Sequence, residues 1–271
     1  MDTAARQFEK KWLAAMIAIG PLPGAPRYDR DDAGIIDRAL SDLEIYSDLG
    51  VDVLVLENSF DLPYIKPPLP AAALKTMVAT AAEIRRRFDG PIGIQVLEAA
   101  NEAALEIAAR AQLDFVRVEG YVFAHVGGAG LIEGCAGQLH RRRVALDCEH
   151  IRLFSDVKKK HCSHALTADL DITDVARQSD FFLADGIVVT GSRTGEAPDT
   201  DELARVCNAT RLPVVIGSGM TPDNIGTYWP LADGFIVGST FRRGGDFFAS
   251  TERCRVEAFV ARWRGLQSGG N

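Results

Sequence analysis

The sequence has no apolar run near the ~20 residues that a membrane-crossing helix needs, so no membrane span is expected. It has no long basic block, and its formal net charge is −7. It therefore lacks the cationic face with which a nucleic-acid binder displaces counterions from phosphates. Cysteine is sparse: five residues, Cys135, Cys148, Cys162, Cys207 and Cys254, odd in number and never in a Cys-x-x-Cys pair. That pattern excludes a disulfide framework and a structural zinc site, and it fits a reduced, cytoplasmic protein. The stretch from Met1 to Lys11 is polar and charged, which is no secretory signal. The first apolar run ends in Gly20-Pro21-Leu22-Pro23-Gly24, which is not the Gly-x-Gly-x-x-Gly turn of a dinucleotide fold. No linker or low-complexity boundary interrupts the chain. One domain over residues 1–271 is expected, with 1–11 as an N-terminal extension or helix and 266–271 as a flexible tail.

What the chain does have is alternation. Its 271 residues are 47% hydrophobic and 25% charged, ordinary for a globular protein with a real core. Eight short apolar runs recur: Leu13–Ile19, Val51–Leu56, Ile92–Leu97, Phe115–Val118, Arg152–Val157, Gly186–Val189, Val214–Ile216 and Phe235–Val237. Several are rich in Val and Ile, as buried parallel strands are. Between them lie amphipathic stretches, Ala33–Leu49, Leu74–Phe88, Asn101–Ala111, Ile172–Leu183 and Glu202–Ala209. Eight strand–helix units predict an α/β fold, a closed parallel (β/α)₈ TIM barrel, for which roughly 250 residues is the usual size.

Barrel chemistry sits at the C-terminal ends of the strands. Three of these ends are small-residue turns: Thr190-Gly191-Ser192, Gly217-Ser218-Gly219 and Gly238-Ser239-Thr240. Glycine lets backbone amides approach an anion, so these turns predict a phosphate cradle of Thr190, Gly191, Ser192, Gly217, Ser218, Gly219, Gly238 and Ser239. Thr221 and Pro222 read as the N-cap and first residue of a short helix behind it. Polar residues at other strand ends would face the barrel mouth. Glu57, Asp156, Lys160 and His161 are the candidates for proton transfer and charge stabilisation, and Asn58, Asp61, Gln95, Arg117 and Glu119 for holding substrate. Arg193 is a second candidate anion clamp. Lys158 and Lys159 read as a solvated charge run, and Cys162 as an idle thiol. Asp156, His161 and His164 could hold a divalent ion, but a third firm ligand and a His-x-x-x-His pair are lacking, so neither metal nor cofactor is expected. The Lys66–Pro70 stretch reads as a stiff loop rather than a polyproline ligand. Gly127–Gly130 reads as a flexible loop, either a cover for the site or a plain connection.

Several of these segments together resemble the BtpA/SgcQ family of barrel proteins. The resemblance runs through Gly20-Pro21-Leu22-Pro23-Gly24-Ala25-Pro26 and Glu57-Asn58-Ser59-Phe60-Asp61. It is most specific in Val189–Gly195, Gly217–Asn224 and Asp233–Ser239. It implies a phosphate-binding type of barrel with Glu57, Asn58, Asp61, Asp156, Lys160 and His161 in the pocket. It implies no single reaction, since one branch is named for photosystem I accumulation and another sits among sugar-uptake genes. The chain departs from the family pattern at Lys158-Lys159, at Gln95 where asparagine is expected, and at Glu98-Ala99-Ala100. Those changes lie at the substrate end.

Three functions are compatible with these residues. The first is an enzyme on a small phosphorylated metabolite, a sugar phosphate or nucleotide-like compound, with isomerase, lyase or glycosyl-transfer chemistry. The second is a non-catalytic assembly or stability factor. The third is a metal-dependent hydrolase. The expected partner is a small phosphorylated ligand, with no nucleic acid and with homo-oligomerisation allowed.

Overall fold

The computed structural model describes residue 8 and residues 10–269. Ten strands appear in chain order: β1 (Trp12–Ala18), β2 (Val53–Glu57), β3 (Ile92–Gln95), β4 (Phe115–Val118), β5 (His125–Gly127), β6 (Gly130–Ile132), β7 (Arg152–Asp156), β8 (Gly186–Val189), β9 (Val214–Ile216) and β10 (Gly234–Val237). Eight of them close a barrel in the order β1-β10-β9-β8-β7-β4-β3-β2, every pairing parallel. This is the expected TIM barrel. The outer layer is α1 (Asp32–Leu49), α2 (Ala71–Arg85), α3 (Asn101–Ala111), α4 (Ala136–Ala145), α5 (Ile172–Phe181), α6 (Thr200–Ala209), α7 (Ile225–Tyr228) and α8 (Arg253–Ser268). Among the described residues no helix is long and apolar enough to cross a membrane.

Local chemistry explains several boundaries. Asp31 caps α1 through the Gly34 N–H, and Gly50 ends it at φ 71°. Asp171 and Asp174 form a reciprocal capping box on α5. Helices α4 and α8 were not apparent from the sequence. α4 is one of the most polar, and α8 runs through Ser268, so residues 266–268 are its last turn rather than tail. α7 is assigned from Ile225; ahead of it the Thr221 hydroxyl accepts the Asn224 N–H and Asn224 Oδ1 accepts the Thr221 N–H, the bonds of a cap. The Gly127–Gly130 segment is an ordered turn between β5 and β6, an antiparallel hairpin. Val126 and Ser163 exchange backbone hydrogen bonds of 3.0 and 2.8 Å, which fasten this hairpin to the loop after β7.

The barrel interior is filled by pairing large rings with missing side chains. Trp12, Ala14, Val53, Val55, Phe115, Phe154, Val188, Val215 and Ile236 point inward, and Phe8 plugs the bottom. The Phe8 ring lies 5.4 Å from Trp12, 5.7 Å from Phe115 and 5.8 Å from Phe154, mostly edge-on. A Cβ at Gly93 would fall 2.2 Å from the Phe115 ring, and one at Gly186 would fall 2.0 Å from Phe154. Replacing Gly93 by alanine therefore overpacks the lower barrel and should cost about 1–3 kcal/mol in urea unfolding. An unchanged midpoint would show that the Phe115 ring can step aside.

Candidate functional site

Side chains alternate across each strand, so the inward set continues two residues above the aromatic layer. There the composition changes. Glu57, Gln95, Arg117 and Asp156 rise from β2, β3, β4 and β7; Thr190, Gly217 and Gly238 follow β8, β9 and β10. In the closed order β3 stands opposite β9, and β4 opposite β10. The barrel mouth is thus charged on one side and nearly devoid of side chains on the other.

Between them lies a cavity of about 390 Å³. Glu57, Gln95, Arg117, Lys159 and Lys160 line one part, and Gly217, Ser218, Gly219, Gly238, Ser239 and Thr240 line another. Arg117 donates from Nε and Nη2 to both Asp156 oxygens at 3.0–3.1 Å, and both side chains are sealed from solvent. Burial lowers the Arg117 pKa, but the carboxylates of Asp156, Glu57 and Glu119 outweigh it, and the net movement is upward. Glu119 receives Gln95 Nε2 at 2.7 Å, the Ala99 N–H at 2.9 Å and Lys159 Nζ at 2.8 Å. That pair holds the Lys159 ammonium charged despite its burial.

Lys160 differs from its neighbour. Its amine makes no hydrogen bond or ion pair among the described residues. Burial, with Arg117 beside it, pulls its pKa down to about 8. Glu57 is buried and accepts from the Ser59 hydroxyl at 2.6 Å, leaving its second oxygen open. Glu98 and His161, which line this cavity, have positive φ of 57° and 61°, the strained backbone that clusters at functional sites.

The small-residue side offers donors. The backbone amides of Gly219, Gly238, Ser239 and Thr240 donate no hydrogen bond among the described residues, and neither does the Ser239 hydroxyl. The turns are held together from behind: Thr240 Oγ1 donates to the Met220 carbonyl at 2.6 Å, and Asn224 Nδ2 to the Gly219 carbonyl at 2.9 Å. Gly219 sits at φ 79°, and a Cβ there would fall 2.1 Å from the Ala197 nitrogen, so only glycine fits.

A family profile described as the BtpA family matches residues 9–264, nearly the whole barrel. The chain belongs to the BtpA family. Among its relatives is an uncharacterised mitochondrial protein of Caenorhabditis elegans, 38% identical over 250 residues and covering 90% of each chain. Another is the photosystem I biogenesis protein BtpA of Synechocystis, 34% identical over 260 residues, covering 94% of this chain and 89% of that one. The fold is similar to that of thiamine phosphate pyrophosphorylase from Pyrococcus furiosus, with a TM-score of 0.59 at 12% identity, covering 96% of this chain and 98% of that one. It is likewise similar to phosphoribosyl anthranilate isomerase from Thermus thermophilus, with a TM-score of 0.56 at 13% identity, covering 94% and 99%.

In this BtpA-family chain the residues singled out from sequence divide by position. Glu57, Gln95, Arg117, Lys160, His161, Gly217, Ser218, Gly219, Gly238 and Ser239 line the central cavity. Asp156 and Glu119 lie beneath its wall, committed to Arg117 and Lys159. Asn58 and Asp61 are turned into the loops: Asn58 Oδ1 accepts the Leu97 N–H, and Asp61 Oδ1 the Leu22 N–H. Thr190, Gly191 and Ser192 line a neighbouring recess of about 660 Å³ that shares Lys159, Lys160 and His161 with the central cavity. The partition carries the contact between His161 Nε2 and Thr194, whose N–H donates to that nitrogen at 3.2 Å. Arg193 is exposed and lines neither space.

Lys159 is not part of a solvated run, and Lys158 donates to the Leu170 carbonyl at 2.7 Å. Among the described residues no three His, Cys, Asp or Glu side chains converge as a metal-binding group. Asp156 is bound by Arg117, and His164 by the Lys159 carbonyl. Tyr64, Leu97, Met220 and Phe247 also line the cavity. They come from loops; Met220 lies within the Gly217–Asn224 segment and Leu97 ends the third apolar run, whereas Tyr64 and Phe247 belong to no motif.

Proposed function

We propose that the protein is a barrel enzyme acting on a small phosphorylated metabolite. The observation that carries this reading is the set of unpaired amides at Gly219, Gly238, Ser239 and Thr240, residues that line one cavity together with an unpaired lysine. Unpaired N–H groups beside small residues suit a phosphate dianion, and their position after the last two barrel strands is the usual one for such a site. The two solved barrels of similar fold are named for phosphate-bearing compounds, which supports the same reading. Glu57 is placed to move a proton, and Lys160 to stabilise the negative charge that develops or to return the proton. Asp156 serves to hold Arg117 in place.

The test is Ser239→Asp, which sets a carboxylate among the unpaired amides without touching a glycine. At an effective dielectric near 20, two charges about 4 Å apart repel by roughly 4 kcal/mol. Calorimetric affinity for ribose 5-phosphate should fall at least a hundredfold, with the melting temperature close to that of the parent protein. Undiminished affinity would remove the phosphate from these turns.

A second reading is a protein-assembly factor, as the name of the Synechocystis relative suggests. Phe181, Phe182 and Leu183 at the end of α5 favour it, since they are exposed by 78%, 41% and 69%. A deletion strain separates the two readings: accumulation of a phosphorylated compound supports the enzyme, and a normal metabolite profile with lost complex assembly supports the factor.

A further inference from the structure

The cavity is chemically lopsided, and the end away from the small-residue turns is specific in its demands. Gln95, 1% exposed, stands opposite β9. Its Nε2 lies 2.7 Å from Glu119 Oε1 and 3.5 Å from Asp156 Oδ2. Both neighbours are carboxylates, which accept only, so the reverse orientation would set a carbonyl oxygen against two negative groups. The amide is therefore locked, and Oε1 is left buried without a donor. A buried acceptor without a partner is costly, and at a cavity wall a ligand donor relieves that cost. Glu57 adds a second acceptor, since Ser59 engages only one of its oxygens.

The same cavity also has an apolar part to its lining, alongside the polar Glu98, His161 and Thr194. Tyr64, Leu97 and Phe247 form that part. The Tyr64 hydroxyl is spent on the Ser59 carbonyl at 2.8 Å, so the side chain offers its ring. Phe247 is held edge-on by Phe60 at 5.9 Å and by Phe248 at 5.2 Å, and the Arg242 guanidinium lies 5.8 Å over Phe60. An open-chain polyol laid against these rings would leave the hydroxyls that face them without a partner. A planar ring would cover Tyr64 and Phe247 and spend its N–H on the open acceptors.

Resting on the phosphate reading above, we infer that the ligand is a phosphate monoester carrying a planar, N–H-bearing ring, with the ring against Tyr64 and Phe247 and its N–H donated to Gln95 Oε1 or Glu57. Gln95 is then a specificity-determining residue. The test compares calorimetric affinities for inorganic phosphate, ribose 5-phosphate, uridine 5′-monophosphate and its N3-methyl derivative. Uridine 5′-monophosphate should bind at least tenfold more tightly than ribose 5-phosphate, and N3-methylation should erase the advantage. Gln95→Leu should erase it as well. Phe247→Ala, at a half-buried loop position, should cut the advantage of uridine 5′-monophosphate over ribose 5-phosphate tenfold. Equal affinity for ribose 5-phosphate and uridine 5′-monophosphate would overturn the ring while leaving the phosphate site standing, as would an advantage that survives both variants. Failure of all four compounds to bind would overturn both.

Discussion

Replacing Asp156 by alanine should lower stability by about 3–5 kcal/mol, because it leaves the Arg117 guanidinium buried without its bidentate partner. For a chain of this size that corresponds to a fall in melting temperature of roughly 10 °C. Arg117 is only 2% exposed, so little solvent reaches it to replace the lost carboxylate. The double variant Arg117→Met, Asp156→Leu should recover much of the loss, since two packed apolar side chains carry no desolvation cost. A single-variant loss under about 1 kcal/mol would show that the guanidinium reaches solvent, contrary to a dry ion pair in the barrel mouth.

Replacing Lys160 by methionine should act on binding and on stability in opposite directions. The amine titrates near pH 8, so it is charged below that value and neutral above it. Affinity for ribose 5-phosphate should fall as the pH rises through about 8, and the Lys160→Met variant should be weak throughout with that step missing. Stability follows from the same depression. Between about 8 and the ordinary lysine value of 10.5 the unfolded chain binds more protons than the folded one, so folding is favoured as the pH rises across that window. Below about 8 the full penalty of burying a charge is present. The methionine variant should therefore melt at a higher temperature than the parent at pH 7, and the difference should shrink towards pH 10.5. Calorimetric binding and thermal melts at both pH values check this. A less stable variant at pH 7 would mean that the ammonium is well solvated or paired. Such an exchange of stability for a poised group is what a functional site requires.

Much of the architecture was legible because it is written in local periods. Eight short apolar runs, several rich in Val and Ile, separated by amphipathic stretches bury themselves as strands and covering helices. Once the strands are placed, alternation also predicts the inward row, since Glu57, Gln95, Arg117 and Asp156 each lie two residues beyond an inward apolar residue or glycine. Helix α4 was missed because Gln138, His140 and three arginines hide its apolar side. The β5–β6 hairpin was missed because two three-residue strands around Gly127–Gly130 carry no period.

The sequence alone determined the number of units, their order and the concentration of small residues after β9 and β10, because these depend on neighbours within a few positions. Tertiary structure decided what each residue does. Barrel closure set β3 across from β9 and left the small-residue turns facing Lys160 and Gln95. It divided Thr190–Ser192 from Gly217–Gly219, locked Asp156 to Arg117, and took Lys159 into the core with Glu119. Each of these pairings joins segments tens of residues apart. Register and burial create such contacts, and no local pattern along the chain encodes them.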